Sequence, residues 1–324
     1  MDKEQRAIEN IKMASQESMR YYKKPIVCTY SGGKDSDVLL ELFLRSGEPF
    51  EVHNSHTTAD APQTVHHIRQ KFKELEEKGI KCTIQYPELS IWQLIPKKKF
   101  PPTRQIRYCC EYLKETACEN RMIATGVRWD ESNARRKRGL LETIMPKKKD
   151  RVVLMPNDIY EEVPENRQLS MFDESSQGEV MLMNDNGKER VLWERCRLKA
   201  KTVCNPIIDW TTKELWEYIY AENISINPLY QCGFSRVGCI GCPMAGKRRY
   251  FEFSVFPKYK QMYISAFARM LDELRKTGVN QNWKDEYDVF SWWMEDDGIL
   301  GQYSFEDYET EENEPEVVWN RFKD

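Results

Sequence analysis

Two textures alternate along the first half of the chain, one with apolar residues at helical spacing and one in short continuous apolar runs. Residues 3–22 set Ile8, Ile11 and Met19 among charged residues at intervals that predict a helix. "PIVCTY" (25–30) is compact, apolar and partly β-branched, as expected of a buried parallel strand. "DSDVLLELFLRSG" (35–47) returns to helical spacing and stops at a glycine. "FEVHNS" (50–55) predicts a second strand. "PQTVHHIRQKFKELEEKG" (62–79) predicts a helix opening at proline and closing at glycine, and "KCTIQY" (81–86) a third strand. A helix around 108–119 and a fourth strand in "RMIATGV" (121–127) follow. Strand–helix alternation of this kind predicts an α/β fold, a parallel sheet with flanking helices and right-handed crossovers.

From about residue 146 the alternation stops. The stretch 146–200 is polar and reads as an insertion. Within it "EVMLMNDNGKERVLW" (179–193) places an Asn-Gly turn between apolar runs, a hairpin signal. Thr211 and Glu214 form a capping box that opens the helical pattern "TKELWEYIYAEN". "VFPKYKQMYISAFARMLDELRKTG" (255–278) is again helical, followed by Trp283, Trp292, Trp293 and Trp319. The expected organisation is an α/β domain over 1–145, the insertion over 146–200, a segment over 201–250 that completes the core, and a helical region over 251–324. That last region ends in the acidic, solvated stretch "EDYETEENEPE" (306–316).

Composition adds exclusions. In 324 residues, 40% hydrophobic and 31% charged content fits a globular protein and not a disordered one. Forty-nine Lys and Arg against 52 Asp and Glu give a net charge of −3, so no bulk positive field points to nucleic acid. Local basic runs stand out at 97–99, 134–138, 147–149 and 247–249, readable either as solvated faces or as polyanion contacts. No apolar run approaches the roughly 18 residues that span a bilayer. The N-terminal "MDKEQRAIENIKMASQ" lacks a signal-peptide core, so a cytoplasmic protein is the expectation, without a membrane partner. In that compartment ten cysteines point to ligands, catalytic groups or core residues, not disulfides.

The first strand runs into "TYSGGKDSDVLLEL" (29–42). Converging N–H groups at a strand-to-helix turn, with the helix dipole behind them, make a phosphate cradle. Gly32 and Gly33 allow close backbone approach, Ser31 and Ser36 add hydroxyls, and Lys34 adds a cation. The spacing is neither that of a Walker A loop nor that of a dinucleotide G-x-G-x-x-G motif. "SGGKDS" resembles the pyrophosphate (PP) loop of the adenine nucleotide α-hydrolase superfamily, which includes ATP pyrophosphatases and PAPS reductases. An ordinary strand–helix turn is the alternative.

The cysteines carry the second signal. "RYCCEYLKE" pairs Cys109 with Cys110, and "GCIGCPM" places Cys239 and Cys242 in a C-x-x-C. Such thiolates can grip a metal centre, and a C-x-x-C alone leaves zinc, iron–sulfur and redox roles open. A vicinal pair with a distant C-x-x-C resembles the assimilatory APS/PAPS reductases that carry a [4Fe–4S] cluster, and the resemblance makes Cys109, Cys110, Cys239 and Cys242 the four ligands. A structural zinc site and reduced buried cysteines remain alternatives. Cys28 and Cys82 read as core, Cys118, Cys196 and Cys204 are unassigned, and Cys232 is a reserve ligand. The four histidines, all between 53 and 67, read as solvent-facing or substrate-lining.

Three further segments resemble the same family: "HTTADAPQT" (56–64), "TGVRWDESNARR" (125–136), and "NPIIDWTTKELWEYI" with "INPLYQCGFSRVGC" leading to the cluster loop. The resemblance implies an adenine nucleotide, ATP or else PAPS/APS, on Ser31, Gly32, Gly33, Lys34, Asp35, Ser36, Thr57, Thr58, Gly126 and Arg128. Lys34, Asp35 and Arg128 are the implied catalytic residues, and Mg2+ is a candidate companion of the phosphates. The family's reductases use a cysteine in a C-terminal tail to accept the sulfonyl group. No cysteine follows Cys242 here, so the expectation shifts away from the standard reductase mechanism. It moves toward proteins resembling phosphorothioate-DNA modification sulfurtransferases and phage or defence PAPS-reductase-like proteins. The implied activity is cleavage of the α–β phosphate bond with cluster-assisted sulfur transfer or adenylation. The acceptor is a nucleic acid or protein met through the basic runs, and a sulfur-donor protein is a further candidate partner. The alternatives are a sulfonucleotide reductase with an atypical cysteine such as Cys232, and a non-catalytic nucleotide-binding component of a larger complex.

Overall fold

The computed structural model describes residues 2–114, 117–133, 135–144, 153–154, 201–278 and 283–295. The expected hairpin at 179–193, Cys196, Trp319, the run 147–149 and the acidic stretch lie outside them. Seven strands form one sheet: β1 Ile26–Thr29, β2 Phe50–Ser55, β3 Cys82–Gln85, β4 Met122–Ala124, β5 Leu141–Ile144, β6 Val153–Leu154 and β7 Lys201–Cys204, in the order β3-β2-β1-β4-β7-β5-β6. The pairs β1/β4, β2/β3 and β4/β7 are parallel. The helices are α1 Lys3–Tyr22, α2 Lys34–Ser46, α3 Pro62–Glu77, α4 Ile91–Lys98, α5 Tyr108–Leu113, α6 Thr212–Ala221, α7 Arg248–Val255, α8 Pro257–Lys276 and α9 Glu286–Met294.

The α/β expectation therefore holds, with an antiparallel edge that the sequence did not announce. β5 pairs antiparallel with both β7 and β6. A parallel return needs a dozen or more residues of crossover, and the link from Ile144 to Val153 is shorter than that. α5 also ends at Leu113, well short of residue 119. Local signals worked best where they were chemically complete: Thr211 caps α6, accepting from the Glu214 N–H while the Glu214 carboxylate receives the Thr211 N–H at 2.7 Å.

The chain divides into two compact units: Met1–Thr29, Val38–Glu51 and Cys118–Ile224 in the first, and Tyr30–Asp37, Val52–Ala117 and Ser225–Asp324 in the second. In the first, Ile26, Val27 and Cys28 of β1 are no more than 2% exposed, which is why this run is continuously apolar. In the second, Trp293 of α9 is fully buried among Phe253, Tyr263 and Phe267, and its indole N–H donates to the Pro102 carbonyl at 2.6 Å. Burying an aromatic ring with its polar edge satisfied is the arrangement that costs least.

Candidate nucleotide and cluster site

In the second unit the loop Ser31–Ser36 leaves the end of β1 and enters the first turn of α2. Gly32 has φ +73, a left-handed conformation that side chains disfavour. A Cβ there would lie 2.9 Å from Ile68 Cγ1 and 3.2 Å from Thr64 Cγ2, so α3 packs directly against the backbone. The Gly33 N–H donates to Ser36 Oγ at 3.1 Å, and the Ser36 hydroxyl donates to the Gly33 carbonyl at 2.7 Å. Ser31 Oγ lies 3.3 Å from Ser36 Oγ. Lys34 is buried, with Nζ 3.3 Å from the Ser235 carbonyl and 5.5 Å from the centre of the Tyr230 ring. Asp35 is half-buried, close enough to Tyr230 to act on its hydroxyl electrostatically.

One segment supports this loop from behind. The Asn227 amide donates to the Gly32 carbonyl at 2.9 Å and to Thr64 Oγ1 at 3.1 Å. Buried Tyr230 accepts the Lys34 N–H at 2.9 Å. Burial pushes the Tyr230 hydroxyl far up, so it stays a neutral phenol at physiological pH. Sequence reasoning placed these residues in a motif without assigning them partners, because nothing local reports a contact across nearly 200 positions.

The same segment continues into the C-x-x-C. Cys239 forms an isolated antiparallel bridge with Asp60, and the Ile240 N–H donates to the Ala59 carbonyl at 2.8 Å. Cys239 Sγ lies 3.3 Å from the hydroxyl of buried Thr57. Thr57 donates its N–H to Asp60 Oδ2 at 2.8 Å, and Thr58 accepts the Ile91 N–H at 2.9 Å, at the start of α4. Thr58 has φ +63, an outlier for a β-branched residue, within the expected nucleotide segment. Gly241, at φ +73, gives its N–H to Glu252 at 2.7 Å.

Cys109, Cys110, Cys239 and Cys242 share one electrostatic neighbourhood. The Cys109 thiol is pushed far up by its hydrogen bond to Cys110, by burial, and by the charges of Cys110, Cys242 and Cys239. Cys239 is pushed up to about 11, burial outweighing the nearby Lys114 cation. Lys114 is held charged chiefly by Cys239, then by Asp60, Cys242 and Cys110. It follows Cys110 by one helical turn, a spacing that could have singled it out from sequence. The four soft thiol donors fit an iron–sulfur cluster by ligand chemistry. Among the described residues, no three Cys, His, Asp or Glu side chains stand in a metal-holding arrangement. Cys28 and Cys204 are buried, Cys82 and Cys118 half-buried, and Cys232 exposed.

Gly126 and Arg128 belong to the first unit. Gly126 is half-buried in the loop after β4. Arg128 is 2% exposed and donates to the Trp210 carbonyl at 3.2 Å and Thr212 Oγ1 at 3.3 Å, with Asp130 at 3.7 Å. Of the two readings of the histidines, solvent-facing or substrate-lining, the first fails for His67, which is 7% exposed with Nε2 3.0 Å from Asp37 Oδ1. One further expectation is corrected. The run 247–249 is not one basic face, since Arg249 is buried and donates to the Trp293 carbonyl at 2.9 Å and the Met294 carbonyl at 3.3 Å. Among the described residues no helix is long and apolar enough to cross a membrane.

A mostly parallel α/β sheet with a glycine-rich loop at the start of α2 is the arrangement of an adenine nucleotide α-hydrolase-like protein. The chain belongs to the phosphoadenosine phosphosulfate reductase domain family, whose model matches residues 25–245. It is 26% identical over 261 residues to an uncharacterized protein of Methanocaldococcus jannaschii, covering 80% of this chain and 43% of that protein. It is 40% identical over 48 residues to the adenosine 5'-phosphosulfate reductase of Bacillus cytotoxicus, covering 15% and 20%. The chain thus spans less than half the length of these relatives. Similar solved structures include the phosphoadenylyl-sulfate (PAPS) reductase of Candida auris (15% identity, TM-score 0.37, 72% of this chain and 93% of that one). Another is the U34-tRNA thiolase NcsA of Methanococcus maripaludis with its [4Fe-4S] cluster (13% identity, TM-score 0.33, 93% and 92%).

Proposed function

We propose that this chain is a PP-loop enzyme that binds ATP on Ser31–Ser36, cleaves the α–β phosphate bond and couples that cleavage to sulfur transfer or adenylation. One observation carries the reading: the segment from Asn227 to Cys242 both braces the loop, through Asn227, Tyr230 and Ser235, and supplies Cys239 and Cys242. Phosphate chemistry and thiol chemistry are thereby built on one piece of chain.

In this reading the first turn of α2 and the Lys34 ammonium counter the phosphate charge, with Mg2+ a candidate companion. The Ser31 and Ser36 hydroxyls, now bonded within the loop, turn toward phosphate oxygens. Asp35 joins Lys34 in the catalytic set, and Thr57 and Thr58 add to the nucleotide contacts. Cleavage moves AMP to an acceptor oxygen and releases pyrophosphate. Cys109, Cys110, Cys239 and Cys242 would hold a [4Fe–4S] cluster, which would supply redox and electrostatic chemistry beside the loop. The acceptor is a nucleic acid or protein, met through exposed cations such as Lys97, Lys98, Arg136, Lys137 and Lys247, with a sulfur-donor protein as further partner.

The test is anaerobic purification with iron and sulfide quantified, then ATP, PAPS and APS offered to the same sample with pyrophosphate and sulfite measured. About four irons per chain and pyrophosphate release abolished by Lys34→Ala and Ser36→Ala are expected. Sulfite from PAPS or APS with no pyrophosphate from ATP would sink the reading. It would favour a sulfonucleotide reductase, for which the exposed thiol of Cys232 is the available nucleophile, and Cys232→Ser would then abolish sulfite release.

A further inference from the structure

The six loop residues Ser31–Ser36 are flanked by Tyr30 and Asp37, and these two side chains meet. The Tyr30 hydroxyl donates to Asp37 Oδ1 at 2.5 Å. His67, from α3, places Nε2 3.0 Å from Asp37 Oδ1 and 3.0 Å from the Tyr30 hydroxyl. All three residues are buried, at 2%, 3% and 7% exposure. Tyr30 is itself fixed, since its N–H donates to the His53 carbonyl at 2.8 Å and its carbonyl accepts the Asn54 amide at 2.8 Å. The adjoining positions of α3 also touch the loop, Ile68 and Thr64 against Gly32. Asp37 Oδ2 is buried with no hydrogen-bond partner, so the contacts of this carboxyl group converge on Oδ1.

We propose that Tyr30, Asp37 and His67 are a clamp that ties the two ends of the phosphate loop together, with His67 the positioning residue that locks it to α3. The proposal rests on the reading that this loop takes nucleotide phosphates, and it adds how the loop is held ready for them. A loop pinned at both ends has little conformational freedom left to lose when phosphate binds, so the clamp acts on nucleotide affinity. The step after binding is untouched, because none of the three side chains belongs to the phosphate-contacting set. Neither polyanion recognition nor thiol chemistry requires the clamp. A solvent-facing histidine, in contrast, could be replaced without consequence.

The experiment uses the full chain, purified anaerobically. It compares wild type, His67→Leu, His67→Gln and Tyr30→Phe by Kd for a non-hydrolysable ATP analogue, by kcat at saturating ATP, and by hydrogen exchange of amides 31–36 without nucleotide. His67→Leu should weaken binding about tenfold, or roughly 1.4 kcal/mol, leave kcat within twofold, and speed loop exchange. His67→Gln, which keeps a donor, should recover most of both losses. Unchanged Kd and unchanged loop exchange in folded His67→Leu overturn the clamp, as does a fall in kcat with Kd preserved. If His67→Leu fails to fold, Tyr30→Phe and His67→Gln decide by the same readings. If wild type binds no nucleotide, the proposed function fails by itself. Loop exchange then decides the clamp: faster exchange in the variants upholds it, and equal exchange removes it.

Discussion

Gly32→Ala is the sharpest test of how the loop is built. Two costs add at this position. At φ +73 an L side chain pays about 1–2 kcal/mol against the ordinary backbone regions. The new methyl would also sit 2.9 Å from Ile68 Cγ1, 3.2 Å from Ile68 Cδ1 and 3.2 Å from Thr64 Cγ2. Thr64 cannot swing aside cheaply, because its hydroxyl accepts the Asn227 amide. Ile68 is buried on the face of α3 that meets the loop. Overpacking of this kind costs roughly 1–3 kcal/mol, so the sum is about 2–5 kcal/mol. Gly33→Ala is the internal control. Gly33 lies outside the left-handed region, and its nearest neighbour would be the Tyr230 hydroxyl at 3.4 Å, for a cost below about 1 kcal/mol. Urea unfolding of both variants, read as a midpoint shift at unchanged slope, measures the difference. Equal midpoints for the two would refute the assignment of strain to Gly32.

Arg249→Ala should cost about 3–5 kcal/mol, since it strips the Trp293 and Met294 carbonyls of a charged donor and removes the guanidinium stacked 4.8 Å over Trp293. Exposed Lys247→Ala should change stability by less than about 0.5 kcal/mol, and equal losses would contradict the split within that basic run. Gly241→Ala would press a methyl within 2.6 Å of Phe253 and 2.7 Å of Tyr263, whereas Gly238 has open space. On the proposed cluster reading, iron recovered per chain should therefore fall in Gly241→Ala and hold in Gly238→Ala, as measured after anaerobic purification. Burial works against ionisation of Asp130, but the hydroxyl and amide of Thr212, then Arg128 and Arg136, hold its carboxyl below 3.8. Its contribution to stability is therefore complete above about pH 4 and is lost as pH falls through the lower folded value. Asp130→Asn should flatten the acid limb of the stability curve below pH 4, and identical limbs for both proteins would remove Asp130 from that role.

Much of this protein was decided locally. β1, the glycine turn and α2 follow from an apolar run, two glycines and helical spacing. The Thr211 capping box sits where its four residues put it, and "FEVHNS" became β2 residue for residue. Such signals are read within a turn or a strand, where neighbours in sequence are neighbours in space. The cysteine pair and the C-x-x-C were visible as chemistry for the same reason. What the sequence left open is what each residue faces across long separations. Arg249 sits in a basic run yet is consumed by the end of α9, and His67 sits in a histidine cluster yet is bonded to Asp37. Asn227 and Tyr230, quoted only as part of a motif, turn out to brace a loop almost 200 residues earlier. Burial and partnership are properties of packed elements, and a residue type shared by surface and core carries no mark of which it will meet. The tertiary structure made that choice when α3, the phosphate loop and the segment from Asn227 to Cys242 packed together.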